Sequence, residues 1–327
     1  MGVTIKDIAK HAGVSYSTVS KALRDSPLVK EPTKKKILAI AEEIGYQPNV
    51  AARSLVSKKS NTIGVIWPTI ERVAHSALIT RINQYLEDQG YTTLVSINRI
   101  NTAVTTFNRF QVDAILLFED THSDYRFSSS VPVVSYGIAS NQPEVPTIDA
   151  NRREAMKEAV AYLHKLGHKE IIYIGEISEQ DPLQADKIKG FKQGLMENNI
   201  PFSDEMLIPV PELEQYDGYI ATKAMLDKEK KPSAIISSSY DCTKGILLAI
   251  KEYNLSIPGD ISIISYDNVP QVEKLEYSIT TVGVPLDTIA KEVTNILLDT
   301  IEGKQMDQSI LLQPEINVAK SCRNLYS

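Results

Sequence analysis

Tyr16, Ser17, Thr18 and Lys21 crowd into six positions of the chain and offer three hydroxyls and an ammonium. Such groups suit base edges and phosphates, but a solvated helix face carries them equally well. What presents them decides between the two. Thr4 precedes the apolar series Ile5, Ile8, Ala9, Ala12, and Asp7 stands three residues on. That is a capping-box-like helix start, with Asp where Glu or Gln is usual. Gly13 breaks the series and can take the left-handed conformation of a tight turn. Ser15 is an N-cap for a second helix from Tyr16 to about Leu23, with Val14, Val19 and Leu23 facing inward. A third helix is expected from near Thr33, burying Ile37, Ile40, Ala41 and Ile44 and ending at Gly45 before Pro48. Two short helices joined by a glycine turn and braced by a third make a helix-turn-helix, whose second helix enters the major groove. A plain three-helix bundle with a wet polar face fits the same pattern.

Charge is unevenly divided. Residues 1–60 hold eleven Lys/Arg and five Asp/Glu, whereas the whole chain of 327 residues has 35 and 41. A basic head on an acidic body suggests that the head alone meets a polyanion; an ordinary basic surface is the alternative. With 43% hydrophobic and 23% charged residues the composition is that of a globular protein. No apolar run reaches membrane-helix length and no apolar signal core opens the chain, so a cytoplasmic protein with no membrane partner is expected. The two cysteines, Cys242 and Cys322, have no metal or redox spacing.

Three stretches carry a more specific signal. Residues 4–9 read Thr-Ile-Lys-Asp-Ile-Ala, residues 12–23 read Ala-Gly-Val-Ser-Tyr-Ser-Thr-Val-Ser-Lys-Ala-Leu, and residues 45–55 read Gly-Tyr-Gln-Pro-Asn-Val-Ala-Ala-Arg-Ser-Leu. Together they closely resemble the head of the LacI/GalR repressor family. The resemblance implies a DNA-binding domain over residues 1–48 and a hinge helix with linker over 49–61. The hinge would form on operator DNA and lie in the minor groove, with Leu55 as the wedge between base steps. The expected DNA-contacting set is Thr4, Ser15, Tyr16, Ser17, Thr18, Ser20, Lys21, Asn49, Ala52, Arg53 and Leu55. Lys21 stands where the family usually has Arg, and an ammonium lacks the two-pronged grip on guanine.

From Thr62 onward, short apolar strands alternate with helical segments. Strands are expected at residues 63–67, 91–97, 113–118, 131–136, 170–175, 206–210, 234–238 and 261–266. Helices are expected at 77–89, 151–166, 185–198, 218–226 and 242–253. This is the pattern of parallel sheets covered on both faces, in two doubly wound lobes with a cleft between them. Leu166-Gly167-His168-Lys169, Lys189-Gly190-Phe191, residues 257–264 (Ile-Pro-Gly-Asp-Ile-Ser-Ile-Ile) and Thr280-Thr281-Val282 also resemble the family. They imply an α/β core of periplasmic-binding-protein-like type over 62–327, following the all-α helix-turn-helix head in the chain. Lobe 1 is expected at about 62–150 and 282–308, and lobe 2 at about 151–281 and 309–327.

The resemblance places effector contacts at strand ends, on Lys187, Tyr240 and Asp267, and Arg72 in an unusual first-lobe loop is a further candidate. Asp267 matches a family acid that accepts sugar hydroxyls, and Lys187 stands where Arg is usual. The family acid after Val133-Val134 is missing, because Ser135-Tyr136-Gly137 fills that stretch. The loop before residue 77 also carries Arg72 and His75. Trading acceptors for cations suits an anionic effector such as a sugar acid or sugar phosphate. A neutral sugar bound through other contacts, or no small-molecule effector at all, are the alternatives, and Arg72, Lys187 or Tyr240 fit a structural role as well. No Gly-x-Gly-x-x-Gly, phosphate loop, Gly-x-Ser-x-Gly or His-Glu-x-x-His occurs, so neither an enzyme nor a cofactor is expected. His164 and His168 are four apart, but Gly167 between them argues against a shared helical face and a metal site. The expected protein is a homodimeric repressor of carbohydrate-utilisation genes that binds double-stranded operator DNA and a small-molecule effector. A sugar sensor without DNA binding is the rival.

Overall fold

The computed structural model describes residues 3–46, 59–119, 127–137, 145–178, 180–228, 231–304 and 309–326. The chain divides into two compact units, Met1–Ser60 and Asn61–Ser327. Asn49, Ala52, Arg53 and Leu55 of the expected hinge lie outside the described residues.

In the first unit, helices α1 (Ile5–Ala12), α2 (Tyr16–Ala22) and α3 (Glu31–Glu43) close on Ile8, Ala12, Val19, Ala22, Val29, Ile37 and Ala41. Asp7 Oδ2 accepts from Thr4 N at 2.8 Å and from Thr4 Oγ1 at 2.7 Å, fixing the start of α1. Those bonds hold the Asp7 carboxyl below its ordinary range. Gly13 ends α1 at φ +68°, in the left-handed region a side chain avoids. Ser15 Oγ then accepts from Thr18 N at 3.2 Å as the cap of α2. Helix α3 begins two residues earlier than the sequence suggested, because Pro32 occupies its first turn, where a missing N–H costs nothing. Lys36 Nζ donates to Ala12 O at 3.0 Å, so one lysine of the basic head ties α3 to the end of α1.

The second unit contains two six-stranded sheets. The first combines β1 (Thr62–Ile66), β2 (Thr92–Ser96), β3 (Ala114–Glu119), β4 (Val133–Gly137), β5 (Thr147–Ala150) and β11 (Ser309–Leu312) in the order β11-β5-β4-β3-β1-β2, all parallel. The second has β6 (Ile171–Gly175), β7 (Leu207–Pro209), β8 (Ala234–Ser237), β9 (Ser262–Tyr266), β10 (Thr280–Gly283) and β12 (Glu315–Asn317). Its order is β12-β10-β9-β8-β6-β7, with only β12 antiparallel. Central strands such as β4, β8 and β9 are buried along their whole length, as helix-covered parallel strands must be.

The first sheet is flanked by α4 (Val73–Asp88), α5 (Ile100–Phe110) and α10 (Leu286–Ile301); the second by α6 (Arg152–Lys165), α7 (Pro182–Glu197), α8 (Gln215–Leu226) and α9 (Tyr240–Glu252). Helices α8 and α9 approach so closely that a Cβ on Gly245 would stand 1.9 Å from Gln215 O. The chain passes between lobes three times, after β5, β10 and β11.

Several boundaries differ from expectation. Residues 309–312 pair with Thr147–Ala150 in the first sheet, so the chain re-enters lobe 2 after Leu312 and not at Ser309. Likewise Thr280–Gly283 pairs with β9, and the return to lobe 1 falls after it. Helices α5 and α10 and strands β5, β10 and β11 are absent from the expected elements. Ile100, Ala103, Val104 and Phe107 have helical spacing, but the Asn and Thr between them are weak helix formers. Thr105 and Thr106 spend their hydroxyls on the carbonyls of Asn101 and Thr102, at 2.7 and 2.8 Å. Among the described residues no helix is long and apolar enough to cross a membrane.

Candidate functional site

Two places bring functional side chains together, one in each unit. On the head, Tyr16, Ser17 and Lys21 are exposed on α2, with Tyr16 at 55%. Ser15 Oγ lies 2.8 Å from both Ser17 Oγ and Thr18 Oγ1, so the first turn presents a linked set of hydroxyls. Such a set can turn donors or acceptors outward as a base edge requires. Ser20 is less free: its carbonyl and Oγ accept from Arg24 Nε at 3.1 Å and Nη2 at 3.2 Å. Arg24 is therefore an exposed cation held beside the reading helix, and the sequence reading omitted it. Lys34, by contrast, is buried against Asp25 at 2.6 Å and serves the fold. Thr4 is exposed but committed to Asp7.

In the core, one cavity lies between the two sheets' carboxyl ends. It is lined by Arg72, His75, Phe118 and Tyr136 from the first lobe, and by Gln184, Lys187, Tyr266, Asp267 and Asn268 from the second, with Arg152 at the first crossover. Arg72 stands just before α4. Its Nε is buried without a hydrogen-bond partner, as are His75 Nδ1 and Gln184 Oε1. Buried polar atoms without partners are rare, and three beside one cavity point to a polar occupant.

Three of the four expected effector residues, Arg72, Lys187 and Asp267, meet here. The structure does not bring Tyr240 onto the cavity. Its backbone N–H instead donates to Asp267 Oδ2 at 3.0 Å, so the start of α9 aims the carboxylate. Asp267 holds φ +80°, a costly backbone for a residue other than glycine, and one that is kept at ligand sites when the surroundings enforce it.

Lys187 Nζ donates to Ser238 O at 2.9 Å and sits 4.0 Å from the centroid of the Tyr266 ring. Burial lowers its pKa to about 7; Asp267 opposes the shift, and Arg72 and Arg152 add to it. Arg152 was missed by the sequence reading. It opens α6, bonds Asp149 Oδ1 through Nη1, and reaches Ala150 O at 3.1 Å. Burial works against its charge, but the Asp149 carboxylate more than offsets this and holds Arg152 above its ordinary value.

The first-lobe wall is aromatic. Trp67 stacks on Phe118 with centroids 4.6 Å apart, and His75 and Tyr136 pack around Phe118 at 5.1 and 5.8 Å. Burial, with the Arg72 charge, drops His75 to about 4, and burial lifts the Tyr136 hydroxyl to about 12; both are neutral near pH 7. Among the described residues no His/Cys/Asp/Glu cluster could hold a metal ion. His168 is buried between Ser233 Oγ at 3.0 Å and Arg323 O at 3.1 Å, where it fastens the C-terminal segment.

Residues 4–49 match the family model for bacterial regulatory proteins of the lacI family, and residues 160–322 match a periplasmic binding protein-like domain. Over 336 aligned positions the chain is 32% identical to a probable HTH-type transcriptional repressor, ExuR, of Bacillus subtilis, covering 99% of each chain. The chain belongs to the LacI family. It is thus a DNA-binding transcriptional regulator, in a family of regulators and not of enzymes. The LacI-type fold extends throughout. A lac repressor dimer bound to operator and the anti-inducer ONPF superimposes with a TM-score of 0.83, 22% identity and 99% and 100% coverage. A LacI-family regulator from Enterococcus faecium with bound ribose gives a TM-score of 0.70 at 22% identity, covering 81% of this chain and 99% of that one.

Proposed function

We propose that this LacI-family regulator is a homodimeric repressor of carbohydrate-utilisation genes, released from or fixed on its operator by a polyhydroxylated acid in the core cleft. The observation that carries the ligand class is the convergence of Arg72, Arg152 and Lys187 on one cavity that also holds Asp267. Cations suit an acidic group, and Asp267 with Asn268 suits the hydroxyls of the rest. The aromatic first-lobe wall offers the apolar face of a sugar ring a flat surface. The bound ribose of the Enterococcus faecium neighbour supports a sugar-sized occupant.

On the DNA side, Tyr16, Ser17, Thr18 and Lys21 would meet base edges and phosphates, with Thr4, Ser15, Ser20 and the 49–55 hinge contributing. The operator complex of the lac repressor dimer supports two heads on a near-palindromic site. Exposed Leu94 and Val95 on β2, and Tyr216, Ile220 and Leu248 on α8 and α9, are apolar surface suited to a second copy. Ligand control requires different affinities for the DNA-bound and free forms.

The test pairs two measurements on the full chain. Fragments of the host chromosome are screened by gel shift, where at least one should bind far more tightly than random duplex and weaken steeply with salt. Calorimetry then compares galacturonate, glucuronate and gluconate with galactose, glucose and glucose 6-phosphate. A sugar acid should bind and change operator affinity. Tight binding of a neutral sugar alone would overturn the ligand class, and no preference for any fragment would overturn the repressor.

A further inference from the structure

Lys187 is 2% exposed beside the cleft, with a hydrogen bond to a carbonyl and an aromatic face beneath it. The Tyr266 face favours an ammonium there, but only weakly against the loss of water around it. Asp267 acts on it through space, without an ion-pair contact. The other charged or titratable groups around it are Arg72 before α4, Arg152 at the head of α6, and Asp181 at the head of α7. Asp181 is occupied in capping α7, accepting from Leu183 N at 2.8 Å and Gln184 N at 3.2 Å. His75, Glu176 and Cys242 also feel Lys187. Of these, burial keeps His75 and Cys242 uncharged near pH 7, with values of about 4 and about 11, and lifts Glu176 above its ordinary value. The Tyr266 hydroxyl is raised by burial and stays neutral.

Among the lining side chains, Arg72, Arg152 and Lys187 share one carboxylate, Asp267. Arg152 is already paired with Asp149, so Arg72 and Lys187 are the cations an incoming carboxylate meets. We propose that Lys187 takes up a proton as a polyhydroxy carboxylic acid settles in the cleft, so that the protein binds its ligand and a hydrogen ion together. This rests on the acid reading of the ligand given above. Burial with the neighbouring cations lowers Lys187 to about 7, and an arriving carboxylate supplies a counter-charge that favours its protonated form.

The experiment is calorimetry of the full chain with galacturonate, glucuronate and gluconate at pH 7.5, in HEPES and in Tris, whose ionisation heats differ. For a group titrating at about 7, roughly 0.8 proton should be absorbed per ligand at pH 7.5 and almost none at pH 5.5. Kd should weaken roughly eightfold between pH 7.5 and 8.5. Lys187→Arg keeps the charge without titrating, so it should bind the acid with no proton uptake. Should that variant fold poorly, the wild-type pH profile decides, and a Kd flat from pH 6 to 8.5 overturns the linkage. Equal heats in the two buffers, or undiminished uptake in Lys187→Arg, overturn it while leaving the acid reading in place. Glucose 6-phosphate binding more tightly than every sugar acid overturns the carboxylate. Neutral sugars binding where no acid does would remove both readings.

Discussion

The two lobes repeat one strand order, and their fourth strands end in nearly the same words. Strand β4 runs Val133-Val134-Ser135-Tyr136-Gly137; β9 reaches Ile263-Ile264-Ser265-Tyr266 and then Asp267. Both tyrosines line the cavity, and both following residues turn at positive φ, +110° for Gly137 and +80° for Asp267. One scaffold position thus carries a relaxed glycine in lobe 1 and a strained carboxylate in lobe 2. Around it, lobe 1 supplies an aromatic wall with Arg72, and lobe 2 supplies Gln184, Lys187, Asp267 and Asn268. Duplicated topology fixes where a ligand sits; the residues at matching strand ends decide what each half reads.

The contrast can be broken from the charged side first. Arg152→Met would leave Asp149 half-buried without its cation, and breaking such a pair typically costs about 3 kcal/mol. Urea denaturation of the core should show that loss, and calorimetry should show sugar-acid binding abolished. Asp267→Gly would give lobe 2 the turn of lobe 1. Its relief of backbone strain should offset the lost Tyr240 bond, leaving stability within about 1 kcal/mol, while ligand affinity falls about a hundredfold. A large stability loss instead would mean that the carboxylate serves the fold.

Lys187 gives the third test. Its folded value of about 7 lies below the 10.5 of an ordinary lysine. Between those values the unfolded chain binds a proton that the folded core does not, so raising the pH stabilises the core. From pH 7 to 9 the gain from this group is about 2 kcal/mol, and Lys187→Met should lack it in urea titrations. The smallest expected effect comes from the opposite exchange. Gly137→Asp would put a second carboxylate at the lobe 1 turn and weaken sugar-acid binding about tenfold, through repulsion and a strained φ.

The head was legible nearly whole, because its signals are local: Thr4 with Asp7, Gly13, Ser15. Half of the cleft was legible, through Arg72, Lys187 and Asp267. Arg152 was not, since Asn151-Arg152-Arg153-Glu154 reads as an ordinary charged helix start. Only topology separates its two arginines: the β5-to-α6 crossover buries Arg152 by the cavity, while Arg153 meets Asp186 at the surface at 2.9 Å. Tyr240 erred the other way, since its backbone and not its ring serves the site. Helix α4 starts at Val73, four residues before the apolar spacing suggests, for a comparable reason. The group that terminates it properly comes from residue 241, far along the chain.

That last contact has a mechanical meaning. Val73 N–H, in the first turn of a lobe 1 helix, donates to Asp241 Oδ2 of lobe 2 at 3.0 Å, and Arg72 supplies no cap of its own. Parting the lobes must strip that amide of its acceptor and hand it to water. The exchange rate of one backbone hydrogen is therefore a built-in gauge of how often the jaws gape, readable without labels and without knowing what they close upon.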